Sequence, residues 1–393
     1  MRTFGARRLW SLARRASAVV EAPARDLVRA SRYFLSNPAS GIVRLHSPEY
    51  AEPEPDDRDL VARIFESFVR MKKDQPQARE LYLPASIWEE QLARAYAPLR
   101  NALKSGDLSP FHFFLTNFGA WKEYTGITWS TTHQEAQSRA RKLILQNETF
   151  LYLLRLWSWF YGGRKPVAAL DLPRHGNHSG AFVDGAFVTI SSFPLEVYGS
   201  QLARLAAGRS DRPMIAELGG GYGNLAYYTL RGLKKSTYLD FDLPETLCVA
   251  AYFLMKSFPE KRALLYGEAD YEASRHGEFD LVFMPNYEIE KLGTETVDVF
   301  ANYASLGEMT REAVSNYVRA IANATAYFFH VNHDRVANVY EDGSRGLLAY
   351  EYPVPPTFEL LFRYPELFIT MYKGSFDMQS NSFAYLYGRR DVG

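Results

Sequence analysis

The stretch that decides the fold is ELGGGYG at residues 217–223. It follows directly on the apolar run Met214–Leu218, which is typical of a buried strand, and it precedes a helical pattern over residues 224–233. Glycines at such a place let the backbone turn tightly and approach a bound ligand closely. The strand–loop–helix order therefore predicts the first unit of a parallel α/β sheet with a ligand-binding glycine loop.

The acidic residue at the end of this strand, Glu217, indicates what kind of ligand the loop takes. A pyrophosphate would be repelled by a carboxylate at the mouth of the loop, whereas a cationic, amine-bearing cofactor would be attracted to it. We therefore expect a cationic cofactor to contact Glu217 and the backbone of three loop glycines, Gly219, Gly221 and Gly223.

Beyond the loop, short apolar runs alternate with helical patterns. Strands are predicted at Thr237–Phe241, Val297–Tyr303 and Ala326–Asn332, and two further strands, Phe368–Tyr372 and Ser382–Tyr387, follow without a helix between them. Alternation of this kind is typical of a parallel sheet covered by helices on both faces. The last two strands predict that the sheet ends in an antiparallel hairpin.

Composition narrows the class of protein. The chain has 393 residues, with 45 Lys and Arg against 45 Asp and Glu, so the net charge is zero and no chain-wide field attracts nucleic acid. Its only cysteine, Cys248, excludes an intrachain disulfide and a zinc site built from cysteines. No run of 18 apolar residues predicts a transmembrane helix. We expect a cytoplasmic protein.

We predict three units along the chain: a basic segment and linker at 1–57, a helical subdomain at 58–165 and the sheet domain at 166–393. Residues 1–20 contain five arginines and no acidic residue. Three interpretations stay open for this segment: a basic amphipathic helix at the inner, anionic face of a membrane, an organellar transit peptide, or a solvated basic tail. Membrane contact would use residues 1–35. Turn formers without periodicity at 36–57 predict the linker.

A second acidic element lies at the end of the next strand, in the sequence YLDFDLP at residues 238–244. An acidic side chain about 20 residues beyond a glycine loop typically binds the ribose hydroxyls of a nucleoside cofactor. Asp242 is favoured because it ends the strand just before a helix-starting proline. Asp240 remains open because alternate residues of a strand face the same side.

Three motifs together resemble the sugar O-methyltransferase family of class I, S-adenosylmethionine-dependent enzymes. They are GGGYGNLA at 219–226, DLPETL at 242–247 and NYASLGEM at 302–309, and the likeness covers about residues 170–335. The resemblance implies a seven-stranded Rossmann-like sheet with an antiparallel terminal hairpin. It also implies S-adenosylmethionine as the cofactor and a sugar or glycan hydroxyl as the methyl acceptor.

Further cofactor contacts are expected at the ends of two later strands. Asn286 follows the predicted strand FDLVFMP, where class I folds usually contact adenine, and Asp270 in the preceding loop is an open alternative. Asn302 lies at the end of the strand Val297–Tyr303, at the crevice where open α/β sheets bind ligands. We include Asn286 and Asn302 among the cofactor-binding candidates.

Methyl transfer to a hydroxyl needs a base near the acceptor oxygen. The first candidate is Glu308, in the loop after the predicted strand Val297–Tyr303. The others are His333, at the end of the next strand, and His330 if its side chain turns toward the crevice. A further motif, HGNH at 175–178, predicts either a lid over the acceptor or a surface turn. No convincing set of carboxylates for a hard metal ion is apparent, so no metal site is predicted.

Other functions stay open on the sequence alone. An NAD-type oxidoreductase is disfavoured by Glu217 and by the terminal hairpin. An O- or N-methyltransferase of a non-sugar small molecule, and a non-catalytic subunit of a glycan assembly complex that keeps the same fold, are both compatible with these motifs. The sequence leaves the oligomeric state undetermined.

Overall fold

The computed structural model describes residues 28–84, 86–128, 139–269, 277–340, 343–366, 368 and 381–390. Most of the basic segment and the candidate Asp270 lie outside these ranges. Within them the chain forms a set of helices, a small sheet and a large central sheet. No helix in these ranges combines the length and the apolar character that crossing a membrane requires.

The region 58–165 is mainly helical, as the sequence predicts. Helix α1 buries Val61, Ile64, Phe68 and Met71 on one face. The helices of this region are α1 Arg58–Asp74, α2 Ser86–Arg94, α3 Ala97–Ser105, α4 Ser109–Asn117 and α5 Arg139–Phe160.

Residues 36–57 are not the free linker that the sequence predicts. Strand β1, Val43–His46, pairs antiparallel with β2, Gly180–Val183, which in turn pairs with β3, Ala186–Val188. The Asn147 side chain donates hydrogen bonds to two carbonyls of this segment, Ser40 at 3.1 Å and Val43 at 3.3 Å. The prediction fails because β1 is short and its partner strand lies far along the chain. Whether the three predicted ranges are separate units stays a prediction.

The central sheet has the predicted mixed architecture. In spatial order its strands run β10-β11-β9-β8-β4-β5-β7-β6; the pairs from β9 to β6 are parallel, and β11 is antiparallel to both β9 and β10. The strands are β4 Met214–Leu218, β5 Thr237–Asp242, β6 Ala263–Leu265, β7 Leu281–Pro285, β8 Val297–Tyr303, β9 Thr325–His333, β10 Phe358–Pro365 and β11 Ser382–Arg389. Apart from the short edge strand β6, this is the expected seven-stranded order with its terminal hairpin.

Two details of the sheet correct the sequence predictions. The sheet has eight strands in the described residues because β6 extends one edge. The first strand of the hairpin is β10 at Phe358–Pro365, earlier than the predicted Phe368–Tyr372, most of which lies outside the described residues. The strand β10 escaped prediction because Leu360 and Leu361 are both exposed and interrupt the alternation of a half-buried strand.

Helices cover both faces of the sheet. One core contains residues of α6 Ser192–Ala207, α7 Asn224–Arg231 and α8 Pro244–Ser257 together with α1. The opposite core contains residues of α9 Arg311–Ala324. Parallel strands covered in this way direct their carboxyl ends to one edge of the sheet, which is where ligands bind in open α/β folds.

Candidate functional site

A cavity of about 1160 Å³ lies at the carboxyl ends of the central strands. Its walls come from the loops after β4, β5, β7, β8 and β9 and from residues 79–84, 88–89, 124 and 126–127 of the helical region. Most of the predicted site residues line it, namely Glu217, Gly219, Gly221, Asp242, Asn286, Glu308 and His333. The structure therefore brings together side chains from strand ends that are up to about a hundred residues apart.

The glycine loop is shaped by a close contact with the loop after β8. Gly219 has φ +76°, a conformation that side chains rarely adopt, and a Cβ there would lie 2.2 Å from Ser305 Oγ. The Ser305 hydroxyl donates to the Leu218 carbonyl at 3.1 Å and accepts from Asn302 Nδ2 at 2.6 Å. Only glycine fits at 219 because the serine occupies the space of a side chain.

Asn302 supports this turn and does not line the cavity, contrary to its predicted cofactor contact. It is fully buried, and Nδ2 donates to the Leu218 carbonyl at 2.8 Å as well as to Ser305. Its Oδ1 accepts from Asn332 Nδ2 at 2.7 Å. With its polar atoms engaged inside the protein, Asn302 has no group to offer a cofactor. Gly223, the residue that precedes α7, is also absent from the cavity wall.

Two carboxylates lie at the cofactor end of the cavity. Glu217 Oε2 accepts from the Tyr238 hydroxyl at 2.6 Å, and burial raises the pKa of Glu217 to about 8. Asp242 accepts from the backbone N–H of Gly221 at 2.9 Å and of Leu243 at 2.7 Å. Burial raises the pKa of Asp242 to about 6, against the effect of these hydrogen bonds. Both groups are thus costly to ionise in the free protein.

Asp240, the rival of Asp242, lies beneath the loop and does not line the cavity. A Cβ on Gly220 would be 2.5 Å from Asp240 Oδ1. Burial, reinforced by the charge of Asp242, raises the pKa of Asp240 well above its usual range. In the described part of the chain, no Lys, Arg or His forms an ion pair with Glu217, Asp240 or Asp242. The choice of Asp242 for the ribose stays a prediction.

Asn286 lines the cavity at the end of β7, where an adenine contact is predicted. Its Nδ2 donates to the Tyr82 carbonyl at 2.7 Å and to the Tyr317 hydroxyl at 2.8 Å. These two bonds fix the orientation of the amide group. Its oxygen, Oδ1, has no hydrogen-bond partner among the described residues and is therefore available as an acceptor. Whether Asn286 or Asp270 contacts adenine stays a prediction, since Asp270 lies outside the described residues.

Glu308 lies on a short 3₁₀ turn, Leu306–Glu308, that precedes α9. Its Oε2 accepts a hydrogen bond of 2.9 Å from Nε1 of Trp88 in α2. Burial raises the pKa of Glu308, and the charge of Asp242 raises it further. The hydrogen bond from Trp88 acts in the opposite direction and lowers this pKa. A carboxylate with a raised pKa at a cavity is a suitable proton acceptor.

The two histidine candidates are placed differently. His333 lines the cavity beside the turn of Glu308, since a Cβ on Gly307 would be 3.4 Å from His333 Nδ1. His330 is fully buried and stacks on Tyr385 with ring centroids 4.8 Å apart. Burial lowers the pKa of His330 to about 3. Because its ring faces the core rather than the cavity, the prediction of His330 as a base is corrected.

The motif at 175–178 is neither a lid nor a simple surface turn. His178 is buried, and its ring centroid lies 4.8 Å from that of Tyr222 in the glycine loop. Asn177 Nδ2 donates to the Glu49 carbonyl at 2.7 Å and to Asn117 Oδ1 at 2.9 Å. The motif thus packs the helical region against the underside of the glycine loop.

Sequence reasoning missed several polar and aromatic residues of the cavity. Asn224 Nδ2 donates to Ser191 Oγ at 2.9 Å and to the Tyr222 hydroxyl at 2.5 Å, and all three residues line the wall. Trp88 and Ile127 also line it from the helical region. A helical pattern around Trp88 gives no local signal of a contact with a loop some 220 residues later in the chain.

A group of three or more His, Cys, Asp or Glu side chains placed to hold a metal ion is absent from the described residues. Of the buried carboxylates near the glycine loop, Glu217 accepts from the Tyr238 hydroxyl, and Asp242 accepts from the backbone amides of Gly221 and Leu243. The expectation of no metal site stays a prediction.

Comparisons with known proteins give weak likenesses. No protein-family model matches the sequence, and no curated protein matches it. Among solved structures, the mitomycin 7-O-methyltransferase MmcR matches at 11% identity over 85% of this chain and 95% of its own, with a TM-score of 0.33. The pyocyanin biosynthetic protein PhzM matches at 12% identity over 63% and 71%, with a TM-score of 0.34. A SAM-dependent methyltransferase from Aquifex aeolicus matches at 11% identity over 49% and 90%, with a TM-score of 0.31. Scores this low assign no activity, so the fold assignment rests on the strand order itself.

Proposed function

We propose that the cavity binds S-adenosylmethionine at the glycine loop. The observation that carries the proposal is the pair of carboxylates, Glu217 and Asp242, which line the cavity without a cationic partner among the described residues. Their raised pKa values mean that a ligand with a positive charge and hydroxyl donors would relieve a cost that the free protein bears. A dinucleotide pyrophosphate would increase that cost.

The residues fit this cofactor in a specific way. We assign Glu217 to the ammonium group, Asp242 to the ribose hydroxyls and Asn286 to adenine, because all three residues line the cavity. Bound S-adenosylmethionine supplies a methyl group on a positively charged sulfur. The chain's own task is to hold an acceptor hydroxyl in line with that methyl group and to take its proton.

We propose Glu308 as the proton acceptor, with His333 as the alternative. Both line the cavity, and His333 lies against the turn that carries Glu308. Glu308 would take the hydroxyl proton as the acceptor oxygen formed its bond to the methyl carbon and the sulfur left with the electrons of the old bond. The raised pKa of Glu308 supports this role because it brings the carboxylate closer to the basicity that the step requires.

The acceptor that we propose is a sugar or glycan hydroxyl. The resemblance of residues 302–309 to the sugar O-methyltransferases supports it. The outer wall adds aromatic surfaces, Trp88 and Tyr124, on which the apolar face of a sugar ring packs well. Ionisable side chains at the same mouth, among them Glu80, Arg311 and Arg345, offer hydrogen bonds to hydroxyl groups. A non-sugar small molecule with a hydroxyl is the alternative acceptor.

Calorimetric titration tests the cofactor first. We expect S-adenosylhomocysteine to bind and NAD to give no heat; binding of NAD alone would overturn the proposal. Methyl transfer is then measured with tritiated S-adenosylmethionine and two sets of acceptors, methyl glycosides and simple phenols. Transfer to glycosides supports the sugar acceptor, transfer to phenols alone supports the alternative, and cofactor binding without transfer to any acceptor supports a non-catalytic subunit.

We also propose that the basic N-terminal segment contacts an anionic membrane at the cytoplasmic side. The arginines of residues 1–20 support this proposal through their attraction to acidic lipids. Co-sedimentation with phosphatidylserine vesicles at low salt tests it, with a chain lacking residues 1–35 as the control. If the full chain stays in the supernatant, the membrane contact is wrong.

A further inference from the structure

Trp88 connects the helical region to the proposed base. Its indole N–H donates to Glu308 Oε2 at 2.9 Å, and both side chains line the cavity. The two residues belong to different parts of the fold, since Trp88 lies in α2 and Glu308 in the loop after β8. An indole N–H is a donor only, so this bond favours the ionised, accepting form of the carboxylate.

The indole is fixed by the chain that packs on its other side. Gly126 has φ +80°, and a Cβ there would lie 2.7 Å from Trp88 Cη2. The neighbouring Thr125 carbonyl accepts a 3.0 Å hydrogen bond from the Tyr96 hydroxyl, and Tyr96 is fully buried. Because the segment at 125–126 is anchored in the core and touches the ring, the indole has little freedom to leave Glu308.

Glu308 would be difficult to ionise without this donor. Burial is the main cause that raises its pKa, and the charge of Asp242 acts in the same direction. Other titratable or charged groups around the cavity wall or near the carboxylate include His333, Tyr340, Glu89, Arg311 and Glu312. In the described residues, Glu308 forms no ion pair with any cation, and the Trp88 N–H is its only side-chain donor.

We propose that Trp88 is a positioning residue of the methyl-transfer site, whose indole N–H holds the Glu308 carboxylate toward the acceptor and in its ionised form. The role of Trp88 in turnover rests on the proposed function. The hydrogen bond from Trp88 to Glu308 does not depend on the cofactor or the acceptor. It implies that the helical region takes part in activating the acceptor as well as in enclosing it.

The contact is tested by NMR of protein with ¹⁵N-labelled tryptophan, without cofactor or acceptor. The chain has six tryptophans, and the indole signal of Trp88 is assigned by its loss in Trp88→Phe. We expect that signal to shift with pH as Glu308 titrates, with a midpoint above about 4.3, the usual value for glutamate. In Glu308→Gln the shift should vanish while the signal remains. No titration in the native protein, or the same titration in Glu308→Gln, would overturn the proposal.

A pH–rate profile tests the role in turnover, with tritiated S-adenosylmethionine and the methyl glycosides as probes. Trp88→Phe keeps an aromatic ring but removes the donor, so the acid limb of kcat should move to higher pH by about one unit or more. Its alkaline plateau should stay within about threefold of native. The matched control is Trp159→Phe, whose parent side chain is 71% exposed and should leave the profile unchanged.

The outcomes separate the two proposals. A fall in kcat that is equal at all pH values would indicate packing alone and overturn the positioning role. If the native protein transfers no methyl group, the proposed function fails, and the NMR titration still decides whether Trp88 holds Glu308.

Discussion

Replacing Glu217 by glutamine should stabilise the free protein and weaken its binding of cofactor. Burial raises the pKa of Glu217 from 4.5 to about 8, so the folded chain retains a proton that the unfolded chain has released at neutral pH. Glutamine keeps the shape of the side chain and still accepts from the Tyr238 hydroxyl, which lies 2.6 Å from Glu217 Oε2. It carries no ionisation cost, and it also offers no charge to a cationic ligand.

The size of the effect follows from linkage. Where the folded pKa of an acid exceeds the unfolded value, stability is complete below the unfolded pKa and is lost as pH rises toward the folded pKa. For Glu217 that window runs from 4.5 to about 8. At pH 7 the cost is at most about 3 kcal/mol, from 1.36 kcal/mol per pH unit. We expect Glu217→Gln to gain between about 1 and 3 kcal/mol at pH 7 and nothing at pH 4.

Urea unfolding at pH 4 and pH 7 measures this gain, and calorimetry with S-adenosylhomocysteine measures the loss of affinity. Removing a charge-assisted bond should weaken binding by about 10- to 150-fold. The control is Glu260→Gln, an exposed carboxylate in the loop after α8, which should change neither quantity. A Glu217→Gln protein that is no more stable at pH 7 than the native chain, and binds the ligand equally well, would refute the assignment of Glu217 to a cationic ligand.

Two further predictions concern the same end of the cavity. Asp242→Asn should weaken binding of S-adenosylhomocysteine by about tenfold or more in calorimetry, whereas Asp240→Asn should leave it within about threefold because Asp240 does not line the cavity. The reverse order would assign the ribose to Asp240. Gly219→Ala should lower the midpoint of thermal unfolding and the affinity together, because its Cβ would meet Ser305 Oγ at 2.2 Å and the strained backbone costs about 1–3 kcal/mol. The double variant Gly219→Ala with Ser305→Gly removes the clash but keeps the backbone strain. If it recovers neither the unfolding midpoint nor the affinity, the backbone strain is the larger effect.

Much of the fold was predictable because its signals are local. The glycine loop at 217–223 and the apolar runs of β4, β5, β8 and β9 are each recognisable from their own residues. Because the crossover connections between parallel strands are right-handed, few strand orders are possible. Strand β1 was missed because a four-residue strand has too few positions to show a period. Strand β10 was missed because its exposed leucines hide the alternation.

The site was predictable where side chains sit at strand ends, and less so elsewhere. His330 and His333 are three residues apart on one strand, so their side chains point to opposite faces, and only one of them can reach the cavity. That parity was available from the sequence, whereas the structure is what identifies His333 as the residue that lines the cavity. The contact between Trp88 and Glu308 was not available, because it depends on how α2 packs against a loop far along the chain.

Two parts of the chain form the cavity, and we expect them to contribute differently to its specificity for an acceptor. The cofactor end is built by strand ends of the sheet, whereas Trp88, Tyr124 and Ile127 supply the other wall from residues that precede the sheet. Helix α1 of the helical region is joined to α8 by a largely buried ion pair, Lys72 with Glu245 at 2.9 Å, and breaking such a pair costs about 3–5 kcal/mol. We expect a helical region so anchored to select the proposed acceptor by preformed shape more than by closing around it. Substitutions in the helical region should therefore change which acceptor is used while leaving affinity for the cofactor intact.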